Sequence, residues 1–129
     1  MTEEPVIDTS ILVDYLRGHR QAIAWLDVLR AAGGLSTHAV VAGELLIGAR
    51  DRRELQQLDT FLSGFTIIPA TQADSLTAID YVRRFHLSHG VGLLDCVIAA
   101  TCVRLSLPVA TANSKHFSGF PTITVVRPY

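Results

Sequence analysis

The stretch VIDTSILVDYLRG, residues 6–18, contains a short apolar segment followed directly by a helical pattern. Residues 6 and 7 are both apolar, which predicts a short strand that is covered on both faces. Asp8, Thr9 and Ser10 follow this strand, and all three are residue types that favour the N-cap of a helix. A helix is then predicted up to Gly18 from apolar residues at helical spacing: Ile11, Leu12, Tyr15 and Leu16. The stretch therefore predicts a strand–helix unit with a carboxylate at its junction.

The rest of the chain repeats this alternation of short apolar strands and helices. Strands are predicted at residues 5–7, 35–36, 65–68, 108–111 and 123–126. Further helices are predicted at about residues 19–32, from a Thr37 cap to about 47, and at about 51–62, 71–87 and 93–105. Short strands without polar alternation, separated by helices, are typical of a parallel sheet with helices on both faces. We therefore expect an α/β/α sandwich with a central parallel sheet, formed by residues 1–129 as a single domain.

Composition and charge exclude several classes of protein. The chain has 11 basic and 12 acidic residues, a net charge of −1 and 49% hydrophobic residues. These values exclude a disordered segment and a basic nucleic-acid-binding arm, so a bound polyanion would need a local patch or a metal ion. Cys96 and Cys102 lie in one apolar helix and predict reduced, buried thiols of a cytoplasmic protein. The longest apolar run, residues 91–103, is too short to span a bilayer, so no membrane association is expected.

Three carboxylates, Asp8, Glu44 and Asp95, are predicted on buried surfaces. Asp8 ends a buried strand, and the other two lie on helix faces formed by apolar residues: Val40, Val41 and Ile47 around Glu44, and Ile98, Ala99 and Cys102 around Asp95. A buried charge is costly unless it is paired or binds a cation. One shared metal ion would explain all three positions. Carboxylates gathered in this way also repel one another, which should raise the pKa of at least one of them.

Each of these acids also has a structural alternative. Asp8 and Asp95 could each cap the helix that they precede or begin. Glu44 could extend its carboxylate to solvent or pair with Arg50 or Arg53. None of these local explanations covers more than one position, whereas a metal ion covers all three.

The expected position of the acids favours a bound cation. In open parallel sheets, ligands bind beyond the carboxyl ends of the strands. Asp8 lies at such an end, and Asn113 lies just past another. Oxygen ligands of this kind suit Mg²⁺ or Mn²⁺. The histidines compete poorly, because His19 and His38 are interpreted as surface or helix-end residues.

Four segments together resemble the PIN-domain ribonucleases, most closely the VapC-type toxins of bacterial toxin–antitoxin pairs. They are VIDTSILVDYLRG (6–18), VVAGELLIGA (40–49), GLLDCVIAAT (92–101) and VATANSKHF (109–117). The resemblance covers essentially the whole chain. It implies a metal-dependent endoribonuclease that cleaves RNA, with tRNA among the candidate substrates. It also implies a homodimer and a cognate antitoxin of the VapB type that silences the enzyme.

The resemblance further implies roles for individual residues. The expected Mg²⁺ ligands, with Mn²⁺ as a substitute, are Asp8, Glu44 and Asp95, and the hydroxyls that support the site are Ser10 and Thr111. Asn113 stands where many members have a fourth acid, and three residues later this chain has His116. Because no acid follows Asp95, we expect one bound metal ion rather than two.

Three alternatives compete with this hypothesis. A catalytically inactive PIN-like module would bind RNA or protein without cleaving it. A phosphatase of the haloacid-dehalogenase type needs a second Asp two residues after Asp8, where this chain has Ser10. A response-regulator receiver needs paired acids early in the chain and a late Lys, which Lys115 matches poorly.

Overall fold

The computed structural model describes residues 4–129, in which five strands form one sheet surrounded by helices. The strands are β1 (Val6–Ile7), β2 (Ser36–His38), β3 (Thr66–Ile68), β4 (Val109–Ala110) and β5 (Val125–Val126). The helices are α1 (Thr9–Leu16), α2 (Arg20–Ala31), α3 (Ala39–Ile47), α4 (Arg52–Leu62), α5 (Gln72–His89), α6 (Leu93–Leu105) and α7 (Ser114–Phe117). The predicted α/β fold with a central parallel sheet is confirmed.

The order of the strands places a crevice beside β1. The sheet has the order β3-β2-β1-β4-β5, and every neighbouring pair is parallel. The chain adds β2 and β3 on one side of β1 and then crosses over to add β4 and β5 on the other side. The connections therefore diverge between β1 and β4, and open α/β sheets bind their ligands in the crevice at this point.

The core holds the start of the chain firmly in this position. Val6 and Ile7 of β1 and Ile11 and Leu12 of α1 are all fully buried. Burying an aliphatic side chain contributes roughly 1.5–3 kcal/mol relative to leaving it exposed. The junction between β1 and α1 is therefore anchored on both sides by apolar packing.

The connection from β2 to α3 differs from the prediction. Thr37 was expected to cap α3, but it lies in β2, where its hydroxyl donates to the carbonyl of Ile7 at 2.6 Å. The N-cap is His38, whose Nδ1 accepts from the backbone N–H of Val40 at 3.1 Å. His38 is thus a helix-end residue as predicted, but it is fully buried and does not lie at the surface.

The prediction of the apolar face around Glu44 is wrong for one residue, Ile47. Val41 of α3 is fully buried, whereas Ile47 is 85% exposed. Glu44 therefore lies at the margin of the buried face and is half-buried. The short helix α7 was not predicted, because its four residues carry no periodic pattern.

No helix within residues 4–129 combines the length and the apolar character that a bilayer span requires.

Candidate active site

Asp8 lies at the carboxyl end of β1, in the crevice beside β4, and is 7% exposed. It occupies the N-cap position of α1, but its side chain makes no capping hydrogen bond. Instead, its Oδ2 accepts from the Ser10 hydroxyl at 3.2 Å and from the Thr111 hydroxyl at 2.9 Å. The capping alternative for Asp8 is therefore wrong, and its carboxylate is held by hydroxyls that come from both sides of the crevice.

The two hydroxyls are themselves held by the backbone after β4. The Ser10 oxygen accepts from the N–H of Ala112 at 3.0 Å, and the Thr111 oxygen accepts from the N–H of Asn113 at 2.9 Å. The two oxygens are 3.2 Å apart. Because each hydroxyl has only one proton to donate, this arrangement lets both protons point at Asp8 while the backbone N–H groups satisfy the hydroxyl oxygens.

Asp95 lies in the first turn of α6 and is half-buried. Burial raises the pKa of its carboxyl above the ordinary value, and the nearby charge of Asp8 raises it further. His116, whose Nδ1 is 3.4 Å from Oδ2 of Asp95, and a backbone hydrogen bond from Gly92 lower this pKa in part. A raised carboxylate pKa was expected from repulsion between the acids, but burial is the larger cause.

Glu44 is held from α1. Its Oε1 accepts from the hydroxyl of Thr9, the residue next to Asp8, at 3.1 Å. Arg50, a possible partner of Glu44, instead pairs with Glu54 at 2.7 Å. Within the described part of the chain, Glu44 has no ion pair. The alternative in which Arg50 or Arg53 neutralises it is therefore not what the structure shows.

Asn113 is less closely connected to the acids. It is exposed, precedes α7, and its side chain makes no capping hydrogen bond. Its contact with the site is the backbone hydrogen bond to Thr111. The side chain from this segment that does contact an acid is His116, on α7. Sequence reasoning did not assign a role to His116 or to Thr9, because nothing local indicates which acid either one contacts.

The donor chemistry of the acids fits a hard cation, because carboxylate oxygens suit Mg²⁺ and Mn²⁺. Asp8 and Asp95 are close enough for the charge of one to affect the other, and Glu44 contacts the residue next to Asp8. Among residues 4–129, however, no three His, Cys, Asp or Glu side chains converge closely enough to enclose a metal ion. The acids therefore supply suitable ligands without a closed coordination shell.

The two cysteines do not compete as nucleophiles. Both are buried and free. Burial is the main cause that raises the pKa of Cys96 to about 11 and that of Cys102 to about 12. Thiols with such pKa values stay protonated at neutral pH, so neither supplies the thiolate that nucleophilic catalysis needs.

Residues 6–121 match the family model of the PIN domain. The chain belongs to the PIN-domain family. It is 38% identical over 118 residues to Ribonuclease VapC10 of Mycobacterium tuberculosis, across 89% of this chain and 86% of the relative. It is 32% identical over 120 residues to Ribonuclease VapC19 of the same species, across 92% of this chain and 95% of the relative. Within the family, the chain is of the VapC type.

A solved structure shows the same fold over nearly the whole chain. A toxin–antitoxin complex from Klebsiella pneumoniae contains a chain that matches with a TM-score of 0.77 and 28% identity. The match covers 98% of both chains.

The raised pKa of Asp95 leads to a stability prediction. Without divalent ions, Asp95→Asn is expected to unfold at a higher temperature than the wild type at pH 7, because the amide removes a partly buried charge that faces Asp8. Folding raises the pKa of Asp95, so its charge destabilises the fold only above the pKa that Asp has in the unfolded chain, about 3.9. Below that pH the effect is absent. Melting curves at pH 7 and at about pH 3 should show the gain at neutral pH alone. Asp59→Asn, at an exposed acid of α4, is the control. An equal gain in both variants would contradict the prediction.

Proposed function

We propose that this protein is a metal-dependent endoribonuclease toxin that a cognate antitoxin neutralises. The observation that carries the proposal is the Asp8 carboxylate, held by the Ser10 and Thr111 hydroxyls beside Asp95 at the divergence of the sheet. The relatives named Ribonuclease VapC10 and VapC19 support the same activity. Residues 1–129 would form one PIN domain.

The proposed mechanism assigns the metal to three carboxylates. Asp8, Glu44 and Asp95 would hold Mg²⁺, with Mn²⁺ as a substitute, and binding would draw their carboxylates closer together than they lie here. When bound, such an ion polarises a phosphate oxygen and lowers the pKa of a bound water molecule. Ser10 and Thr111 would keep Asp8 oriented toward the ion through their hydrogen bonds to Oδ2.

Two more residues complete the proposed site. The hydroxyl of Thr9 would hold the Glu44 carboxylate on the side of Asp8, through the bond from Oγ1 to Oε1. Asn113 would provide an exposed amide next to Thr111, where a hydrogen bond to the RNA backbone is accessible.

Cleavage of RNA in the presence and absence of divalent ions tests this proposal. Purified protein is expected to cleave structured RNA, including a tRNA pool, with Mg²⁺ or Mn²⁺ and not with excess chelator. Full activity in chelator would contradict the role of the acids. Intact RNA under every ionic condition, with metal binding retained, would instead favour the alternative of an inactive module that binds RNA or protein.

A partly apolar surface between α3 and α4 supports the proposed antitoxin partner. A cavity of about 380 Å³ lies there, lined by Leu46, Ala49, Arg50, Asp51, Arg52 and Leu55. Ile47, which is almost fully exposed, lies on the same helix as part of this lining. Amphipathic helices bind in such grooves through apolar anchors at helical spacing. We propose that a helix of a VapB-type antitoxin occupies this groove.

Substitution of Leu55 tests the groove. Leu55→Glu is expected to weaken antitoxin binding at least ~10-fold, because it removes an apolar contact and adds a charge that loses its water when the partner helix covers it. The fold should be preserved, since Leu55 is 44% exposed. Titration calorimetry with the cognate antitoxin measures the effect, and Val28→Glu, at an exposed residue of α2, is the control. Unchanged affinity in a folded Leu55→Glu variant would show that the antitoxin binds elsewhere.

A second exposed apolar surface supports the proposed homodimer. It lies on α5 and the start of α6, and its most exposed large residues are Leu76, Ile79, Leu87 and Leu93. Part of it surrounds a cavity of about 290 Å³ between the two helices. Large apolar side chains exposed near one another mark interaction sites in soluble proteins when they form one patch. We propose that a second copy of the chain covers it.

A further inference from the structure

A network of polar side chains joins the start of α3 to α5 and α6 and takes no part in the proposed chemistry. His38 and Thr101 are fully buried, and Asp74 is 2% exposed. Nε2 of His38 lies 2.9 Å from the hydroxyl oxygen of Thr101, which in turn lies 2.9 Å from Oδ2 of Asp74. Arg104 completes the network by donating two hydrogen bonds to the carboxylate of Asp74, at 2.7 and 3.0 Å. The four residues are called the buried relay below.

Proton accounting fixes the direction of the buried relay. Nδ1 of His38 accepts from the N–H of Val40, so the proton of the neutral imidazole is on Nε2. Burial lowers the pKa of His38, which favours this neutral form. Nε2–H therefore donates to Thr101. The single proton of the Thr101 hydroxyl is directed to the Asp74 carboxylate at 2.9 Å, because an ionised acceptor forms a stronger hydrogen bond than the carbonyl of Val97 at 3.1 Å. Arg104 lowers the pKa of Asp74, so the acceptor at the end of the relay is ionised.

The buried relay connects α3, which carries Glu44, with α6, which carries Asp95. His38 caps α3, and Glu44 follows six residues later on that helix. Thr101 lies on α6, six residues after Asp95. At 1.5 Å per residue, each acid is about 9 Å along its helix from the point where the two helices are joined. Asp74, at the start of α5, attaches the joint to a third helix.

We propose that the buried relay positions α3 against α6 and thereby sets the separation of Glu44 from Asp95. This inference rests on the proposed function, because it assigns the separation to metal binding. Apolar packing alone would hold α3 and α6 together without fixing the position of one helix along the other. A directional hydrogen bond between the cap of α3 and the middle of α6 specifies that position. The members of the relay are positioning residues, since none of them contacts the acids.

Paired substitutions at Thr101 separate positioning from stability. Thr101→Val keeps the shape of the side chain and removes the hydroxyl, whereas Thr101→Ser keeps the hydroxyl and removes a methyl group. Leu26→Ala, in the fully buried part of α2, is a destabilised control with an intact relay. The readouts are Mn²⁺ affinity by calorimetry and amide hydrogen exchange of residues 39–47 without metal. Asp8→Asn serves as the control that lacks the metal site.

Thr101→Val is expected to weaken Mn²⁺ binding about 10-fold. This is the lower end of the loss of metal affinity that is typical when a residue that orients a metal ligand is replaced. It should also accelerate exchange in residues 39–47. Thr101→Ser should remain close to the wild type in both readouts, and Leu26→Ala should keep the wild-type Mn²⁺ affinity despite its lower stability.

Equal behaviour of Thr101→Val and Thr101→Ser would overturn the proposal, because the hydroxyl would then be irrelevant. Wild-type Mn²⁺ affinity in Thr101→Val would overturn it as well and leave the relay as a stabilising network only. If the wild type binds Mn²⁺ no better than Asp8→Asn, the proposed metal site has failed. The exchange of residues 39–47 then decides by itself whether the relay positions α3.

Discussion

Neutralising any one of the three acids is expected to lower the rate of RNA cleavage at saturating Mg²⁺ by at least ~100-fold. The variants are Asp8→Asn, Glu44→Gln and Asp95→Asn, which keep the shape of each side chain and remove its charge. In the proposed mechanism each acid would supply one charge to a shared cation, so the loss of one would weaken the charge stabilisation of the reacting phosphate. Single-turnover cleavage of a structured RNA measures the effect directly.

The losses should be far from additive, because residues that act as a unit fail together. Asp8→Asn combined with Asp95→Asn is expected to be little worse than the more damaged single variant. Asp59→Asn, at an exposed acid of α4, should cleave at the wild-type rate. Melting curves must show that each variant is folded.

The cleavage rates of the three variants distinguish the possible roles of the acids. Wild-type cleavage by Glu44→Gln alone would mean that the bond from Thr9 to Glu44 is structural and that the metal uses Asp8 and Asp95. Loss of activity that is multiplicative across all three variants would argue against a shared cation.

The second large effect concerns stability and lies outside the acid site. Asp74→Asn is expected to lower the free energy of unfolding by about 2 kcal/mol, within the range for leaving buried hydrogen-bonding groups without a partner. The Asp74 carboxylate accepts from Arg104, from the hydroxyl of Thr101 and from the backbone N–H of Thr71. An amide cannot accept all of these bonds. The larger cost of breaking a fully buried ion pair does not apply, because Arg104 is partly accessible to water. Urea unfolding at neutral pH measures the loss.

The pH dependence of this effect follows from the lowered pKa of Asp74. Hydrogen bonds from Arg104 are the main cause of that lowering. A carboxyl whose pKa falls on folding contributes its stability above the unfolded value of about 3.9, and this contribution is lost as the pH falls further. The wild type and Asp74→Asn should therefore become more alike in stability on acidification.

An ion pair on the same helix is a matched control. Asp80 and Arg84 are both exposed and lie 3.5 Å apart on α5. Asp80→Asn should change the stability by less than about 1 kcal/mol, as is usual for exposed pairs. A stability difference between the wild type and Asp74→Asn that stays constant down to about pH 2 would contradict the assignment to an ionised buried carboxylate.

Local sequence patterns predicted most of the elements and the acids that begin the site. The helix at residues 93–105 has the predicted bounds, because its continuous apolar pattern is interrupted by Gly92 before it and Pro108 after it. Asp8 was predicted at the end of a buried strand from the two apolar residues that precede it. Such features depend on residues that are neighbours in the chain, so the chain order contains the information needed to find them.

The partners of these acids depend on the tertiary structure. Thr111 is 103 residues from Asp8, and the two meet because β4 pairs with β1. Glu44 is 35 residues from Thr9, and α3 brings it there after β2 has paired with β1. The family resemblance implied a supporting role for Thr111, but the particular hydrogen bonds follow only from the strand order.

Burial was the other property that the local pattern could not determine. His38 was expected at a helix end or the surface, and Ile47 on a buried face, but the structure buries the first and exposes the second. An imidazole can enter the interior only where partners satisfy both ring nitrogens. One partner, the N–H of Val40, is local, but the other, the hydroxyl of Thr101, meets His38 only when α3 and α6 are packed together. The sequence by itself determined most of the elements, the fold class and the three candidate acids, and the packing of distant elements decided which side chains hold those acids in place.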